Sequence, residues 1–337
     1  MKPIIPPVDR ELLIKELNTD RFFRPTNKAH NEIYIVNAHN SPNVMREIGR
    51  LREISFRLGG GGTGEEIDID KYDLMEKPYN QLIVWDPAAL SIVGGYRFLS
   101  GKDVGFYDNG QPKFVMSHLF NFSQRFIDDY LPYTIELGRA FVQPEYQTSK
   151  MGMKSIFALD NLWDGLGALV HSEKTAKYFI GKVTIYQNYN TTARELIYEF
   201  LAHVFPDPDY LIRPKESVII SPEVIKQGNE LFVEKDPASN YKVLQKAVRP
   251  HGEVIPSMFH LYIGLTDTMK TFETIFDSSF GNVYETGIMV TMNDLLESKK
   301  KRYIEPYVQY LKQMIAERRA NKKLAKANKK EKKDKKE

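Results

Sequence analysis

The residues best suited to acid–base chemistry lie in one apolar stretch near the middle of the chain. Residues 134–142 read Thr-Ile-Glu-Leu-Gly-Arg-Ala-Phe-Val, and the apolar members of this run are typical of a buried strand. Glu136 and Arg139 interrupt the run, and a charge in such a strand is costly unless it is paired or functional. Because a carboxylate in a partly buried strand has a raised affinity for protons, we predict Glu136 as a general base and Arg139 as its neighbour in the catalytic site.

A small, basic segment follows this strand and predicts an anion site. Pro144 ends the strand, because proline cannot continue a central strand. The next residues open a helix whose apolar positions recur every three or four residues from Ile156 to Val170. Free backbone N–H groups and the helix dipole at such a start attract phosphate. The predicted donor-binding residues in this segment are Gln147, Lys150, Met151, Gly152 and Lys154.

Arg97 is a third charge in an apolar strand. It belongs to a predicted hairpin of residues 81–85 and 91–99, joined across Asp86-Pro87. Such an arginine needs an acidic partner, and Glu136 on the neighbouring strand is the predicted one. We predict Arg97 as a catalytic residue, and a purely structural ion pair is the alternative.

In their order along the chain, these features resemble the GNAT superfamily of acyltransferases. The matching motifs are Glu-x-x-Arg at 136–139, Val-x-Pro-x-Tyr at 142–146 and the basic helix start. Leu-Trp-Asp-Gly-Leu at 162–166 resembles the branch that makes ornithine and glycine lipids, which is similar to the acyl-homoserine-lactone synthases. The resemblance covers roughly residues 45–295. It implies an α/β (α+β) fold with a central mixed, mainly antiparallel sheet flanked by helices, followed here by a C-terminal helical extension.

The same resemblance implies an acceptor side of the site. Gly-Gly-Tyr-Arg, ending at Arg97, matches the family's Gly-x-x-Arg, and Arg52 with Phe56 matches its Arg-x-x-x-Phe on the first helix. Asp70 and Asp73 match an acidic Asp-x-x-Asp element that lies on the acceptor side in the lactone synthases. A solvated acidic loop is the alternative interpretation of this last segment.

On the donor side, the resemblance implies that a backbone N–H near Phe141 or Val142 holds the thioester oxygen. The donor's phosphopantetheine phosphate would rest on the helix start from Lys150 to Lys154. The common cradle for acetyl-CoA has a glycine where this chain has Lys150. A side chain there would crowd a pyrophosphate but pair with a single phosphate, which favours acyl carrier protein over coenzyme A as the donor. No permanently bound cofactor is expected.

The activity that the resemblance implies is transfer of a 3-hydroxyacyl chain from acyl carrier protein to the amine of glycine or ornithine, the first step of aminolipid synthesis. An acetyl-CoA-dependent N-acetyltransferase is the first alternative, and a non-catalytic binding protein is the second. The superfamily's thiolate-protonating tyrosine would fall one residue before Tyr198, so we predict Tyr198 to be a core or lid residue.

Composition excludes some chemistry. Cysteine is absent from the 337 residues, which removes disulfides and thiolate chemistry, and no metal-ligand spacing occurs among the seven histidines. We predict no metal site. With no signal-peptide pattern and no run of about 20 apolar residues, the sequence predicts a cytoplasmic protein.

The charge is divided unevenly. Residues 299–337 contain 16 Lys or Arg and 5 Asp or Glu, a net of +11, so the first 298 residues carry −8 of the chain's total of +3. An acidic body argues against nucleic-acid binding. We predict an acyltransferase domain over 1–298, with a family-specific part at about 205–298. A basic amphipathic helix and Lys-rich tail over 299–337 would hold the enzyme at the inner face of an anionic membrane, unless the tail is only a solvated end.

Further elements follow from local patterns. Residues 59–64 are glycine-rich and predict a flexible loop, which the family resemblance implies is mobile and covers the acceptor site. The chain after Ala320 is predicted to be disordered. The predicted helices span 9–17, from Ser41 past Phe56, 112–131, 190–201 and from Ile304 onward; the predicted strands span 32–37, 176–183 and 287–292.

Overall fold

The computed structural model describes residues 1–148 and 153–334. Its helices are α1 (Arg10–Glu16), α2 (Pro42–Gly59), α3 (Lys71–Leu74), α4 (Met153–Ser172), α5 (Thr191–Val204), α6 (Pro222–Leu231), α7 (Pro237–Val248), α8 (Ser257–Ile263), α9 (Glu297–Lys299) and α10 (Glu305–Asp334). Its strands are β1 (Phe22–Pro25), β2 (Glu32–Val36), β3 (Asn80–Asp86), β4 (Ser91–Ser100), β5 (Phe120–Phe122), β6 (Thr134–Val142), β7 (Tyr178–Ile185), β8 (Ile212–Pro214), β9 (Lys270–Asp277) and β10 (Val283–Thr291).

Eight strands form one sheet in the order β1-β2-β3-β4-β6-β7-β10-β9. Neighbouring strands are antiparallel except for β6 and β7, which run parallel. β5 and β8 form a separate antiparallel pair. The predicted fold, a mainly antiparallel mixed sheet flanked by helices, is confirmed.

Helices cover both faces of the sheet. The β3 side chains show this, since successive residues of a strand point to opposite faces. Leu82 and Val84 share a buried cluster with the apolar face of α4 and with α5. Ile83 and Trp85 share another cluster with the apolar residues of α2. α2 therefore packs on one face of the sheet, and α4 and α5 pack on the other face.

The predicted starts of α1, α2 and α5 are confirmed. The Asp9 side chain accepts from the Glu11 N–H at 2.8 Å, and the Asn190 side chain accepts from the Ala193 N–H at 3.1 Å. Pro42 lies in the first turn of α2, where its missing N–H costs nothing. Gly60, at φ 95°, ends α2 in the left-handed conformation that favours glycine.

The predicted helix over 112–131 is wrong. This segment forms a short 3-10 turn, the strand β5 and a π-helical turn at Phe126–Tyr130. Its phenylalanines, Phe114 among them, pack with Phe272 in a third buried cluster. An aromatic-rich run of this length is buried equally well by either conformation, so its pattern does not identify a helix.

The predicted C-terminal helix is present and its first turns pack on the body. Tyr303 and Tyr307 are buried, and the Tyr307 ring lies 5.7 Å from the Phe23 ring, centroid to centroid. The Arg24 guanidinium lies 5.2 Å from the centre of the Tyr307 ring. The helix continues past Ala320 to Asp334, where composition predicts disorder. The division of the chain at residue 298 stays a prediction.

Candidate acyl-transfer site

The candidate site lies where β6 and β7 part. The two strands pair only from Thr134 to Glu136 on β6 and from Tyr178 to Ile180 on β7. Beyond this point both strands continue without pairing to each other, so their facing backbone groups border a fork. A cavity of about 370 Å³ occupies the fork, lined by residues that include Tyr79, Arg97, Glu136, Arg139, Lys182, Tyr186, Phe280 and Glu285.

Glu136 lies at the base of the fork and is 2% exposed. One carboxylate oxygen accepts from the Met116 N–H at 2.7 Å, and the other accepts from the Val115 N–H at 3.0 Å and from the Tyr79 hydroxyl. A carboxylate offers about four acceptor positions. The three donors therefore fix the carboxylate and leave capacity for one more partner.

Burial raises the pKa of the Glu136 carboxyl, and the three hydrogen bonds and the Arg97 charge only partly oppose this shift. A raised pKa gives a carboxylate more affinity for a proton at neutral pH. The structure thus brings together the burial, the cavity and the free acceptor position that a general base requires.

The predicted ion pair between Arg97 and Glu136 is wrong. Arg97 donates instead from Nη1 to Asp70 at 2.7 Å and to Asp73 at 3.2 Å. In the sheet, Leu99 lies opposite Glu136, and Arg97 lies opposite Gly138. Burial acts to lower the Arg97 pKa, but the charges of Asp73 and Asp70 outweigh it and the pKa is raised. Arg97 is therefore a fixed cation of the cavity wall.

The predicted acceptor residues form one buried charge cluster rather than a solvated loop. We call Arg52, Asp68, Asp70, Asp73, Arg97 and Arg139 the Arg–Asp cluster. Arg52 lies 3.3 Å from Asp73, and both side chains are completely buried. Neither residue is among those that line the described cavity, whereas the Asp70 side chain is 28% exposed. The cluster supports the cavity wall from behind and has equal numbers of basic and acidic groups.

Arg139 occupies a β-bulge in the middle of β6. The pairing with β4 advances by two residues from Gly95 to Arg97 while β6 advances by three, and Arg139 takes a positive φ of 48°. Its Nε lies 2.9 Å from an Asp68 oxygen, and its guanidinium lies 4.0 Å from the centre of the Phe280 ring. The bulge turns this side chain from the sheet into the cavity.

An apolar groove of about 520 Å³ adjoins the cavity and runs between the ends of α2, β6 and α4. Phe141, Val142 and Gln147, which are predicted to bind the donor, line it together with Leu159. The Gln143 N–H donates to β4, so strand alternation directs the Val142 N–H away from β4 and toward the fork. The Gln147 side-chain Nε2 donates a hydrogen bond to the Val142 carbonyl oxygen at 2.5 Å.

A close approach of two strands shapes the groove. A Cβ on Gly94 would lie 2.3 Å from the Phe141 carbonyl oxygen, so only glycine allows β4 and β6 to pair here. Glycines also permit contact on the α2 side, where a Cβ on Gly59 would lie 2.7 Å from the Tyr186 ring. The glycine-rich segment is further held by Glu53, which accepts from the Thr63 and Gly64 N–H groups.

The predicted phosphate residues divide into two groups. Lys150, Met151 and Gly152 lie outside the described residues. Lys154 lies at the first turn of α4 but its ammonium pairs with Asp86, which also accepts from the Tyr146 hydroxyl at 2.9 Å. Burial acts to raise the Asp86 pKa, but the Lys154 hydrogen bond and others outweigh it, so the pKa is lowered. Lys154 is thus already engaged by a carboxylate.

Several cavity residues are absent from the predicted site. Tyr79 donates to Glu136, and Lys182 and Glu285 form the β7 and β10 side of the cavity. Lys182 carries the same signal that identified Arg97, a charge inside an apolar strand. Tyr79 and Glu285 carry no comparable signal. Tyr198 is 4% exposed and packs in the core beside Tyr284, in agreement with its predicted place.

Within residues 1–148 and 153–334, no group of three or more His, Asp or Glu side chains is arranged to hold a metal ion. None of the described helices has both the length and the apolar character needed to cross a bilayer.

Residues 51–155 match the family described as an acetyltransferase (GNAT) domain. A glycine N(alpha)-acyltransferase of Phocaeicola vulgatus is 49% identical over 308 residues, covering 91% of this chain and 94% of the relative. A glycine N(alpha)-acyltransferase of Bacteroides thetaiotaomicron is 49% identical over 309 residues, covering 92% and 91%.

Among solved structures, a CoA-dependent acyl-homoserine lactone synthase, BjaI, aligns with a TM-score of 0.28 and 12% identity, over 46% of this chain and 67% of that chain. The extent and identity of the two glycine N(alpha)-acyltransferase matches, together with the GNAT domain match, assign the family. This chain belongs to the GNAT acyltransferases, in the family of the glycine N(alpha)-acyltransferases, and is an acyltransferase enzyme.

Proposed function

We propose that this enzyme transfers a fatty acyl chain from a thioester to the amine of glycine, forming an N-acylglycine. The observation that carries the proposal is the buried Glu136 at the base of a fork that adjoins an apolar groove. The groove suits an acyl chain and its carrier arm, while the polar cavity suits an amino acid. The 49% identity to two glycine N(alpha)-acyltransferases supports glycine over ornithine as the acceptor.

In the proposed reaction, the acceptor ammonium first loses a proton to Glu136. The amine nitrogen then attacks the thioester carbonyl carbon, and the electron pair of the C=O bond moves onto oxygen. As the carbonyl re-forms, the C–S bond breaks and the thiolate leaves, taking up as a thiol the second proton that the nitrogen loses in becoming an amide. The products are one amide and one thiol. The Val142 N–H, directed toward the fork, is the proposed donor to the anionic oxygen.

We propose acyl carrier protein as the donor and a 3-hydroxyacyl chain as the group transferred. Lys150 replaces the glycine that the common coenzyme A cradle has at this position, and it would pair with the single phosphate of phosphopantetheine. The Lys154 ammonium pairs with Asp86. Lys154 would therefore contribute to phosphate binding only through its backbone N–H in the first turn of α4.

We further propose that the product enters aminolipid synthesis and that the C-terminal tail binds an anionic membrane. The tail's net charge of +11 supports this, since each Lys or Arg near an anionic leaflet contributes about 1 kcal/mol. The burial of Tyr303 and Tyr307 restricts the proposed contact to the part of α10 beyond them.

The test is a transfer assay with purified enzyme and two donors, acyl carrier protein and coenzyme A, each loaded with the same long-chain 3-hydroxyacyl group. Glycine and ornithine are the acceptors, and mass spectrometry identifies the amide. We expect N-acylglycine from the carrier protein. Transfer from coenzyme A alone would refute the proposed donor, and acetyl transfer in place of long-chain transfer would establish the N-acetyltransferase alternative.

A further inference from the structure

The wall of the cavity opposite the Arg–Asp cluster carries a second group of charges. Lys182 lies 3.4 Å from a Glu285 oxygen and 3.8 Å from an Asp277 oxygen. We call these three residues the Lys182 cluster. Its side chains are 14%, 4% and 5% exposed, in the order Lys182, Glu285 and Asp277. These are buried charges, and Lys182 and Glu285 line the cavity that contains Glu136.

The strands place this cluster at the fork. Lys182 is the second residue of β7 beyond Ile180, the last one paired with β6. Thr184 follows on the same face and donates to Glu285, its direct neighbour on β10, at 3.0 Å. The separation of β6 from β7 therefore leaves Lys182 and Glu285 facing the same space as the general base.

The Lys182 cluster is loosely bonded. Charge-assisted N–H···O bonds in proteins measure about 2.7–2.9 Å, and both distances from the Lys182 ammonium are longer. Buried charges with unfilled hydrogen-bonding capacity are costly, because desolvation is not repaid. The Lys182 ammonium has three donors, and Glu285 has one carboxylate oxygen that meets only this ammonium. The pair is suited to receive further polar groups.

The other two cations of the cavity wall lie closer to carboxylates than Lys182 does. Arg97 is bonded to Asp70 and Asp73, and Arg139 is paired with Asp68. Arg97 Nε and Arg139 Nε are both buried without a hydrogen-bond partner among the described residues. Both residues line the same cavity, so its wall contains polar groups whose hydrogen-bonding capacity is not filled by the protein.

We propose that Lys182 and Glu285 are the acceptor-binding pair, recognising the two charged groups of a zwitterionic α-amino acid. The Lys182 ammonium binds the α-carboxylate, and the Glu285 carboxylate binds the α-ammonium before its proton passes to Glu136. The two opposite charges on the cavity wall lie side by side, as do the two opposite charges of the amino acid, so each charge of the amino acid meets one of opposite sign. This inference rests on the proposed function and specifies the substrate class as α-amino acids with a free carboxylate.

The experiment compares glycine with glycinamide, which keeps the amine but has no carboxylate. A hydrogen bond to a charged group contributes about 1.5–3 kcal/mol, so we expect kcat/KM of the wild type to favour glycine by roughly 10- to 150-fold. Lys182→Met should lower kcat/KM for glycine to the level for glycinamide, leave kcat/KM for glycinamide unchanged, and leave the KM for the acyl donor unchanged. Intrinsic amine reactivity is the same for both enzymes and cancels in the comparison.

Lys270→Met is the matched control. Lys270 lies on β9, 3.6 Å from an Asp207 oxygen and 3.4 Å from an Asp209 oxygen, and does not line the described cavity. This variant should keep the glycine preference. Lys182→Arg retains the charge and should restore part of the preference, which covers the case in which Lys182→Met folds poorly. Glu285→Gln should raise the KM for glycine and glycinamide alike.

Equal losses on glycine and glycinamide in Lys182→Met would overturn the inference and assign Lys182 to structure. A wild type that does not discriminate between the two amines would overturn it as well. In both cases N-acylglycine still forms, so the proposed function stands. If the wild type acylates no amino acid, both the inference and the proposed function are refuted.

Discussion

The Arg–Asp cluster makes a strong prediction about stability through Arg97→Met. Methionine keeps much of the side-chain volume and removes the charge. The arginine is 1% exposed and bonds to Asp70 at 2.7 Å and Asp73 at 3.2 Å. Removing one partner of a buried pair typically costs 3–5 kcal/mol, because it leaves a buried charge uncompensated. Asp73 keeps Arg52, and Asp70 is partly exposed, so we expect a loss of about 3 kcal/mol.

Equilibrium unfolding in urea at neutral pH measures this loss. Arg213→Met is the control, because Arg213 pairs with Glu273 where the two side chains are 32% and 40% exposed. Exposed pairs contribute about 0–1 kcal/mol. A double-mutant cycle with Asp70→Asn isolates the pair, and asparagine retains the cap at the start of α3. If Arg97→Met costs no more than Arg213→Met, the Arg–Asp cluster does not stabilise the cavity wall.

The same variant predicts a pH dependence. Burial acts to raise the Asp70 pKa, but Arg97 outweighs it through charge and hydrogen bonding, with Arg139 adding to the effect, so the pKa is lowered. A carboxyl with a lowered folded pKa contributes stability that is fully present above its unfolded pKa of about 4 and is lost as pH falls through the folded value. The stability difference between wild type and Arg97→Met should therefore be full at neutral pH and shrink below about pH 4. A difference that does not change with pH would contradict this linkage.

Four further predictions follow from the site. Glu136→Gln should fold and lose about 10²–10⁴-fold in turnover, measured by amide formation; near-normal turnover would make Glu136 structural. Lys150→Ala should raise the KM for acyl carrier protein, less so at high salt, whereas Lys154→Met, whose ammonium pairs with Asp86, should change it little; equal effects would contradict this division. Gly94→Ala should cost about 1–3 kcal/mol in urea unfolding, because its Cβ meets a carbonyl oxygen; an unchanged midpoint would refute the packing. Truncation after Ala320 removes nine of the tail's 16 basic residues and should weaken binding to anionic vesicles at low salt without changing melting temperature or turnover; unchanged co-sedimentation would refute the tail's role.

The truncation site illustrates what packing adds to composition. Charge and periodicity alone suggest removing the chain from Tyr303 onward. The structure buries Tyr303 and Tyr307 against the body, so that cut would also expose core surface. A cut after Ala320 separates the charge of the tail from the stability of the fold.

Local patterns were sufficient for much of this protein. Helix caps at Asp9 and Asn190, the β3–β4 hairpin and the central strand with Glu136 and Arg139 are all readable from the sequence, because each depends on neighbouring residues. Glycine, proline and side-chain alternation act over a few residues. The segment 112–131 was mispredicted because aromatic residues pack in a core from several backbone conformations.

Only the tertiary structure determined which charged side chains pair with each other. The Arg97 partners are Asp73 in α3 and Asp70 at its N-cap, 24 and 27 residues earlier, and the strand register places Gly138, and not Glu136, opposite Arg97. Glu285 meets Thr184 from 101 residues away because the sheet order sets β10 beside β7. The residue types show which side chains are charged, and the local periodicity shows which of them lie in buried strands. Which charges meet across the fork depends on strand order and register, which are set by the packing of the whole sheet.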